Sequence, residues 1–420
     1  MTGSDVPSTL DVENCRRQFP ALARVVAGKP AIFLDGPAGS QTPQCVIDAL
    51  VDYLAHTNAN HGGVFATSRE SDHAILEARR AVADFVGTSD PDEIVFGANM
   101  TSLTFALSRA LAQTWRAGDE VLVTQLDHDG NIAPWLLAAR DAGATLREVR
   151  VRPEDCTLDL NDLKEKLSPR TKLAAITCAS NLAGTITPLR EITRLVQKHG
   201  ALLFLDATHL APHRLLDVSR WDCDFLVCSG YKFFGPHVGV LWGRRELLSM
   251  LPAYKVRPAG DGLPDRWMTG TQNHEGIAGL RAAIDYLAEI GWRIAIGAGE
   301  RRAAIVAAME AIADYEQQLS ARLLAGLASL ESITIHGIRE ANRLDERVPT
   351  VAFTHKWLKP KAIAERLAEQ GIFAWHGHNY ALRLSESLGL EPDGAVRLGL
   401  LHYNTAAEID RTLDVLANLQ

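Results

Sequence analysis

The chain has 420 residues, of which 47% are apolar, enough for two domains with sizeable cores. A formal net charge of −8 argues against nucleic acid as the main partner. No stretch approaches the roughly 20 consecutive apolar residues of a membrane helix, and the polar N-terminus lacks the apolar region of a signal peptide. The six cysteines are scattered without close pairing, which points to reduced thiols in a cytoplasmic protein rather than to disulfides or a metal site.

After an N-terminal segment of about 28 residues, strand and helix patterns alternate to about residue 245. That order predicts a mainly parallel sheet with helices on both faces. Helices are expected over Thr42–Ala55, Ser68–Val86 and Leu189–His199, with Ser68 and Glu70 matching a capping pattern. The strands Glu93–Phe96, Glu120–Thr124, Ala174–Cys178, Ala201–Asp206, Phe225–Cys228 and Val238–Gly243 are short apolar runs, two of them ending in a polar residue, Thr124 and Asp206. A helix over Gly276–Ile290 and a long Ala-rich one over Glu300–Leu330 lead into a smaller α/β unit. Its strands are Ser332–Ile335, Thr350–Phe353 and Ala395–Leu398, and its helices Pro360–Gln370 and Thr405–Leu419. Pro360 suits a first helical turn, and Asn404-Thr405 suits a cap. The expected division is a large domain over residues 29–290 and a small one from residues 1–28 and 291–420.

In open α/β sheets ligands sit outside the C-terminal ends of the strands, and several strand tips here carry chemistry. Lys232 lies in the turn Ser229-Gly230-Tyr231-Lys232 that follows Phe225–Cys228. A partly desolvated lysine there has the low pKa that a nucleophile toward an aldehyde cofactor needs; a solvated surface lysine is the plain alternative. Asp206 ends five apolar residues and can hold a pyridine nitrogen protonated, or simply cap the next turn. His209 can reach a ring hydroxyl, or merely pack at the sheet edge. Gly97–Ser102 opens a helix whose first amides attract phosphate, with Met100, Thr101 and Ser229 as its contacts. His128 follows Glu120–Thr124 and can lie flat on a pyridine ring. Asn181 follows Ala174–Cys178 and can contact a cofactor hydroxyl or a substrate carboxylate. The convergence points to pyridoxal 5′-phosphate (PLP).

With these residues the chain resembles the class V aminotransferase-fold PLP enzymes, in the cysteine desulfurase and selenocysteine lyase branch, from about Phe19 to the end. The motifs are Phe33–Gly39, Asp127-His128 with Asn131, Ser180-Asn181, Asp206 with His209, Ser229–Lys232, Gly270–Asn273 and Val396–Gly399. The resemblance implies a PLP-dependent transferase fold of type I, with a mainly parallel seven-stranded sheet and a smaller C-terminal α/β domain. It implies that Lys232 is the Schiff-base lysine, Asp206 the pyridinium partner and His128 the stacking ring. Thr101, Ser229 and Tyr231 would hold the phosphate, Thr271 would reach the phosphate of a neighbouring subunit in a homodimer, and Arg397 would pair with the α-carboxylate, as bidentate recognition also requires.

A desulfurase needs a cysteine on a mobile loop ahead of that arginine. Here the stretch is Ala374–Ala381, with Tyr380 where the cysteine would stand, and the 192 residues after Cys228 contain no cysteine. A persulfide mechanism is therefore not expected, and β-elimination of a cysteine-derived substrate is the leading expectation, with a small-molecule amino acid as partner. Racemisation or epimerisation, with Tyr380, His378, His376 or His61 as second acid, and transamination remain open. So does a non-catalytic protein on the same fold, although Lys232 and Asp206 are both present. Lys255-Val256-Arg257 fits either an extra acidic substrate group or a solvated surface, and Trp375, in place of an arginine often carried by desulfurase relatives, makes the distal pocket more apolar.

Overall fold

The computed structural model describes residues 10–295, 297 and 299–419; the first nine residues of the expected N-terminal segment lie outside them. Seven strands form the main sheet: β1 (Ile94–Gly97), β2 (Glu120–Thr124), β3 (Thr145–Val149), β4 (Thr171–Thr177), β5 (Leu202–Asp206), β6 (Phe225–Ser229) and β7 (Gly239–Gly243). Their spatial order is β1-β7-β6-β5-β4-β2-β3. Only β7 runs antiparallel to its neighbours, pairing with β6 and β1. The C-terminal tips of β1, β2, β4, β5 and β6 therefore meet at one edge of the sheet. The central strands are apolar on both sides because helices cover both faces. β3 escapes the sequence pattern because it is an edge strand, with Arg147 and Glu148 only partly covered.

Among the covering helices are α1 (Gln44–Asp52), α2 (Ala66–Val86), α3 (Met100–Ala112), α4 (Ala133–Ala142), α5 (Leu189–Lys198) and α6 (His274–Ile294). Leu103, Leu107 and Trp135 pack with Val121, Phe204 and Val227 on one face. Ala78, Phe85, Ile192 and Leu280 pack with Phe96, Leu122 and Leu203 on the other. α2 begins at Ala66, so Ser68 is not its cap. The Ser68 hydroxyl instead donates to the carbonyl of Asn60 and accepts the Gly63 amide, at 2.7 Å each, tying down the loop before the helix.

α7 (Arg301–Ala328) leads into a four-stranded antiparallel sheet of β8 (Ile333–His336), β9 (Thr350–His355), β10 (Trp375–Gly377) and β11 (Ala395–Gly399), ordered β8-β9-β11-β10. α8 (Pro360–Glu369) starts on its proline, and α9 (Ala406–Ala417) has the expected Thr405 cap, reciprocated by Glu408. Ile32 and Leu34 sit in this smaller core, although the expected boundary put them in the large domain, because Ile32-Phe33 pairs with Ile372-Phe373.

Candidate active site

The strand tips and the edge of the small sheet enclose a cavity of about 1110 Å³, lined among others by Thr101, His128, Asn181, Asp206, Lys232 and Arg397. Met100, His209, Ser229, Tyr231 and Tyr380 also line it. Of the expected site residues, His61 and Thr271 are not brought to it. Both are exposed, and His61 lies beside Asp72 at 3.8 Å and against the ring of His274. Lys255 pairs within its own loop, with Asp261 at 3.0 Å and the Ala259 carbonyl at 2.8 Å, away from this cavity. That accounts for Lys255 without a substrate group.

The lysine turn is clasped by the N-terminal motif. Ser40 donates its amide to the Tyr231 carbonyl and accepts the Phe234 amide at 2.7 Å. Gly39 lies so close to the Tyr231 ring that a Cβ there would stand 3.3 Å from it. The Lys232 ammonium donates to the Pro37 carbonyl and lies 5.0 Å from the centre of the Tyr231 ring. Burial, reinforced by the charge of Arg397 and opposed by Asp206, pushes its pKa down to about 7. A substantial neutral fraction of the amine is thus present at neutral pH.

Asp206 is buried at the tip of β5, and its carboxylate accepts the Thr208 amide at 2.9 Å. Desolvation raises its pKa, with Lys232 opposing, so a cation bound against it would hold it ionised. His128 is fixed by the turn after β2. Buried Asp127 accepts from the Thr124 amide and hydroxyl at 2.8 and 2.7 Å and from Asn131 at 2.8 Å. Asn131 in turn accepts from Trp135 at 3.0 Å. The His128 Nδ1 accepts the Gly130 amide at 2.9 Å, which places the ring proton on Nε2. Burial and the charges of Lys232 and Arg397 push its pKa down to about 4, so the ring is neutral at pH 7.

The turn into α3 presents the start of a helix to the cavity through Asn99, Met100 and Thr101. Asn99 caps the helix reciprocally with Ser102, and the Met100 amide donates to the buried Ser229 hydroxyl at 2.9 Å. This turn crosses β7 so closely that a Cβ on Gly239 would fall 2.4 Å from the Asn99 backbone; only glycine fits there. At the opposite side Arg397, on β11, donates Nη1 to the Asn181 carbonyl at 2.8 Å, while its buried Nε has no partner. Burial lowers its pKa to about 9, opposed by Asp35, so the guanidinium remains charged at pH 7. Asp35 itself, pushed up to about 6 by burial, escaped the sequence reading; only its place in the Phe33–Gly39 motif hinted at it.

The loop after β10 closes the site. Asn379 and Tyr380 have φ of +52° and +59°, an uncommon conformation for residues with a Cβ. It is held by an Asn181 Nδ2 bond to the Asn379 carbonyl at 2.7 Å, an Asp129 amide bond to the Tyr380 carbonyl at 2.8 Å, and stacking of the Tyr380 ring on His128 at 5.4 Å. Asn181 thus serves the loop through its nitrogen, leaving its buried Oδ1 without a partner. His209 donates or accepts at Nε2 with the Thr350 hydroxyl at 2.9 Å, so any cofactor contact falls to its other nitrogen. Five cysteines are buried, Cys45 is half-buried, and none lines the cavity.

The aminotransferase class-V family model matches residues 32–412. The chain belongs to the class V aminotransferase family. It is 32% identical to a cysteine desulfurase of Serratia proteamaculans over 97% of this chain and 98% of that protein. It is also 32% identical to a cysteine desulfurase of Synechococcus elongatus, over 98% of this chain but 64% of that protein. Among solved structures, the apo cysteine desulfurase of Thermococcus onnurineus superposes with a TM-score of 0.85 at 28% identity, covering 99% and 98% of the two chains. A C-DES mutant, described with glycine covalently linked to its PLP cofactor, shares the fold with a TM-score of 0.79 at 23% identity, covering 96% and 99%. Class V aminotransferases are PLP enzymes, and the residues of this family member fit that cofactor. Asp206 has no cationic side chain hydrogen-bonded to it, and Asn181 Oδ1 is buried beside the cavity without a partner.

Proposed function

We propose that this class V enzyme cleaves the Cβ–S bond of a cysteine-derived amino acid by β-elimination, without a protein persulfide. The observation that carries the reading is the lining of the cavity: Tyr380 occupies the loop tip, and all six cysteines lie elsewhere. The relatives named cysteine desulfurase support a cysteine-derived substrate. When bound, PLP supplies an electron sink for the pair left at Cα when its proton departs. Asp206 would hold the proton on the pyridine nitrogen, and the neutral His128 would lie against the ring. The Met100 amide, Thr101, Ser229 and Tyr231 would hold the phosphate, and Thr271 of a second subunit would add to it in a homodimer. The neutral Lys232 Nζ takes the Cα proton, since a pKa near 7 lets it accept and return protons at neutral pH. Arg397 fixes the α-carboxylate, and the loop carrying Tyr380 shields the reacting atoms from water.

Alkylation tests the reading. Iodoacetamide applied to the native holoenzyme should leave turnover largely intact, because no thiol takes part. Complete inactivation that tracks modification of Cys45 would count against it.

A further inference from the structure

We propose that Trp375 builds a distal subsite for a planar aromatic or heteroaromatic substituent on the substrate sulfur. The proposal rests on the elimination reading above and names its substrate class. In the small sheet Trp375 stands directly opposite Arg397, and Arg397 stands opposite Ala352 on its other side. Opposite residues of antiparallel strands share a face, with Cβ atoms about 5 Å apart. The carboxylate-binding arginine is therefore flanked by a small alanine on one side and an indole on the other. The indole of Trp375 and the guanidinium of Arg397 thus stand side by side on one face of the small sheet, and both line the cavity.

Trp375 lines the cavity yet is 51% exposed, and among the described residues no aromatic ring packs on it. Tyr380, 67% exposed, supplies a second aromatic wall, and its backbone is fixed by Asp129 and Asn181 as described. The charges at the mouth have partners: Asp393 with Lys359 at 3.1 Å, and Lys361 with Glu365 at 3.8 Å. Free cysteine would leave the exposed indole in water. A flat ring would cover the open face of the indole and gain stacking beyond the area buried. In the reaction the Cα–H and Cβ–S bonds break, and the aryl thiol leaves with one proton. Water converts the remaining fragment to pyruvate and ammonium, and no oxidant or reductant is consumed.

The test uses the PLP-loaded enzyme and two amino acids without a leaving group. Homophenylalanine has the skeleton of S-phenylcysteine with a methylene for sulfur; 2-aminobutyrate lacks the ring. Titration followed by calorimetry should show homophenylalanine binding at least tenfold tighter. Trp375→Ala should collapse that ratio toward one, and Trp375→Phe should restore it. Equal affinities in the wild type, or a ratio untouched by Trp375→Ala, would overturn the subsite whatever the chemistry. S-Phenylcysteine then tests the reaction separately. Release of thiophenol with pyruvate, faster per unit concentration than cleavage of cysteine, supports both claims. A tenfold binding ratio without thiophenol release would uphold the subsite and sink the elimination reading.

Discussion

Replacing Lys232 with methionine keeps the unbranched stem and removes the charge, which isolates the cost of desolvating the ammonium. Burial, with Arg397 adding to it, holds the pKa near 7 instead of 10.5. Between those two values the folded chain binds fewer protons at Nζ than the unfolded chain, so stability rises with pH across the window of about 7 to 10.5. Below pH 7 both states are protonated and the penalty is constant; above 10.5 it is gone. At pH 7 its upper bound is roughly 4 kcal/mol. The side chain is only half-buried and opens onto the cavity, so a figure on the order of 2 kcal/mol is the expectation. Urea denaturation of the cofactor-free protein and of Lys232→Met at pH 7 and pH 10 measures it. The variant should be more stable by about 2 kcal/mol at pH 7, with most of that advantage lost at pH 10. Equal stability at both values, or a difference independent of pH, would refute a desolvated amine.

Three further outcomes follow from the same geometry. Asp206→Ala removes the charge that would hold the ring proton and should lower kcat by roughly 10² or more, measured with cofactor saturating; a near-normal rate would remove Asp206 from that role. Arg397→Lys loses the fork that grips a carboxylate at two points and should raise KM for α-amino acids about tenfold or more, with a smaller change in kcat. Gly130→Ala places a methyl 2.7 Å from Thr101 Oγ1 and 3.0 Å from His128 Nδ1, which should weaken PLP binding about tenfold in a fluorescence titration.

The parts of the site most legible in the sequence were those attached to buried parallel strands. Leu202–Asp206 and Phe225–Ser229 are apolar runs ended by a polar residue, and the structure puts both tips in the cavity. The Asn404-Thr405 cap was legible because its donors and acceptors are neighbours in the chain. Contacts made across long separations were not. The Pro37 carbonyl meets Lys232, and Asp35 sits beside Arg397, through a closure that no local pattern encodes. β10 was hidden because an exposed Trp375-His376-Gly377 has no apolar alternation. Ser68 misled because its hydroxyl fits a helix cap and a loop staple equally well. His61 and Thr271 occupy exposed loops that a single chain leaves outside the cavity.

Product analysis in deuterated water tests the central claim most directly. The PLP-loaded enzyme would be incubated with cysteine, cystine and S-substituted cysteines, and the products resolved by mass spectrometry. Elimination predicts pyruvate carrying deuterium in its methyl group, with ammonium and the sulfur leaving group (sulfide from cysteine, thiocysteine from cystine, thiol from S-substituted cysteines) in equal amounts and no sulfur left on the protein. Alanine together with a protein-bound persulfide would contradict the account, as would recovered amino acid of inverted configuration, deuterated at Cα, without pyruvate.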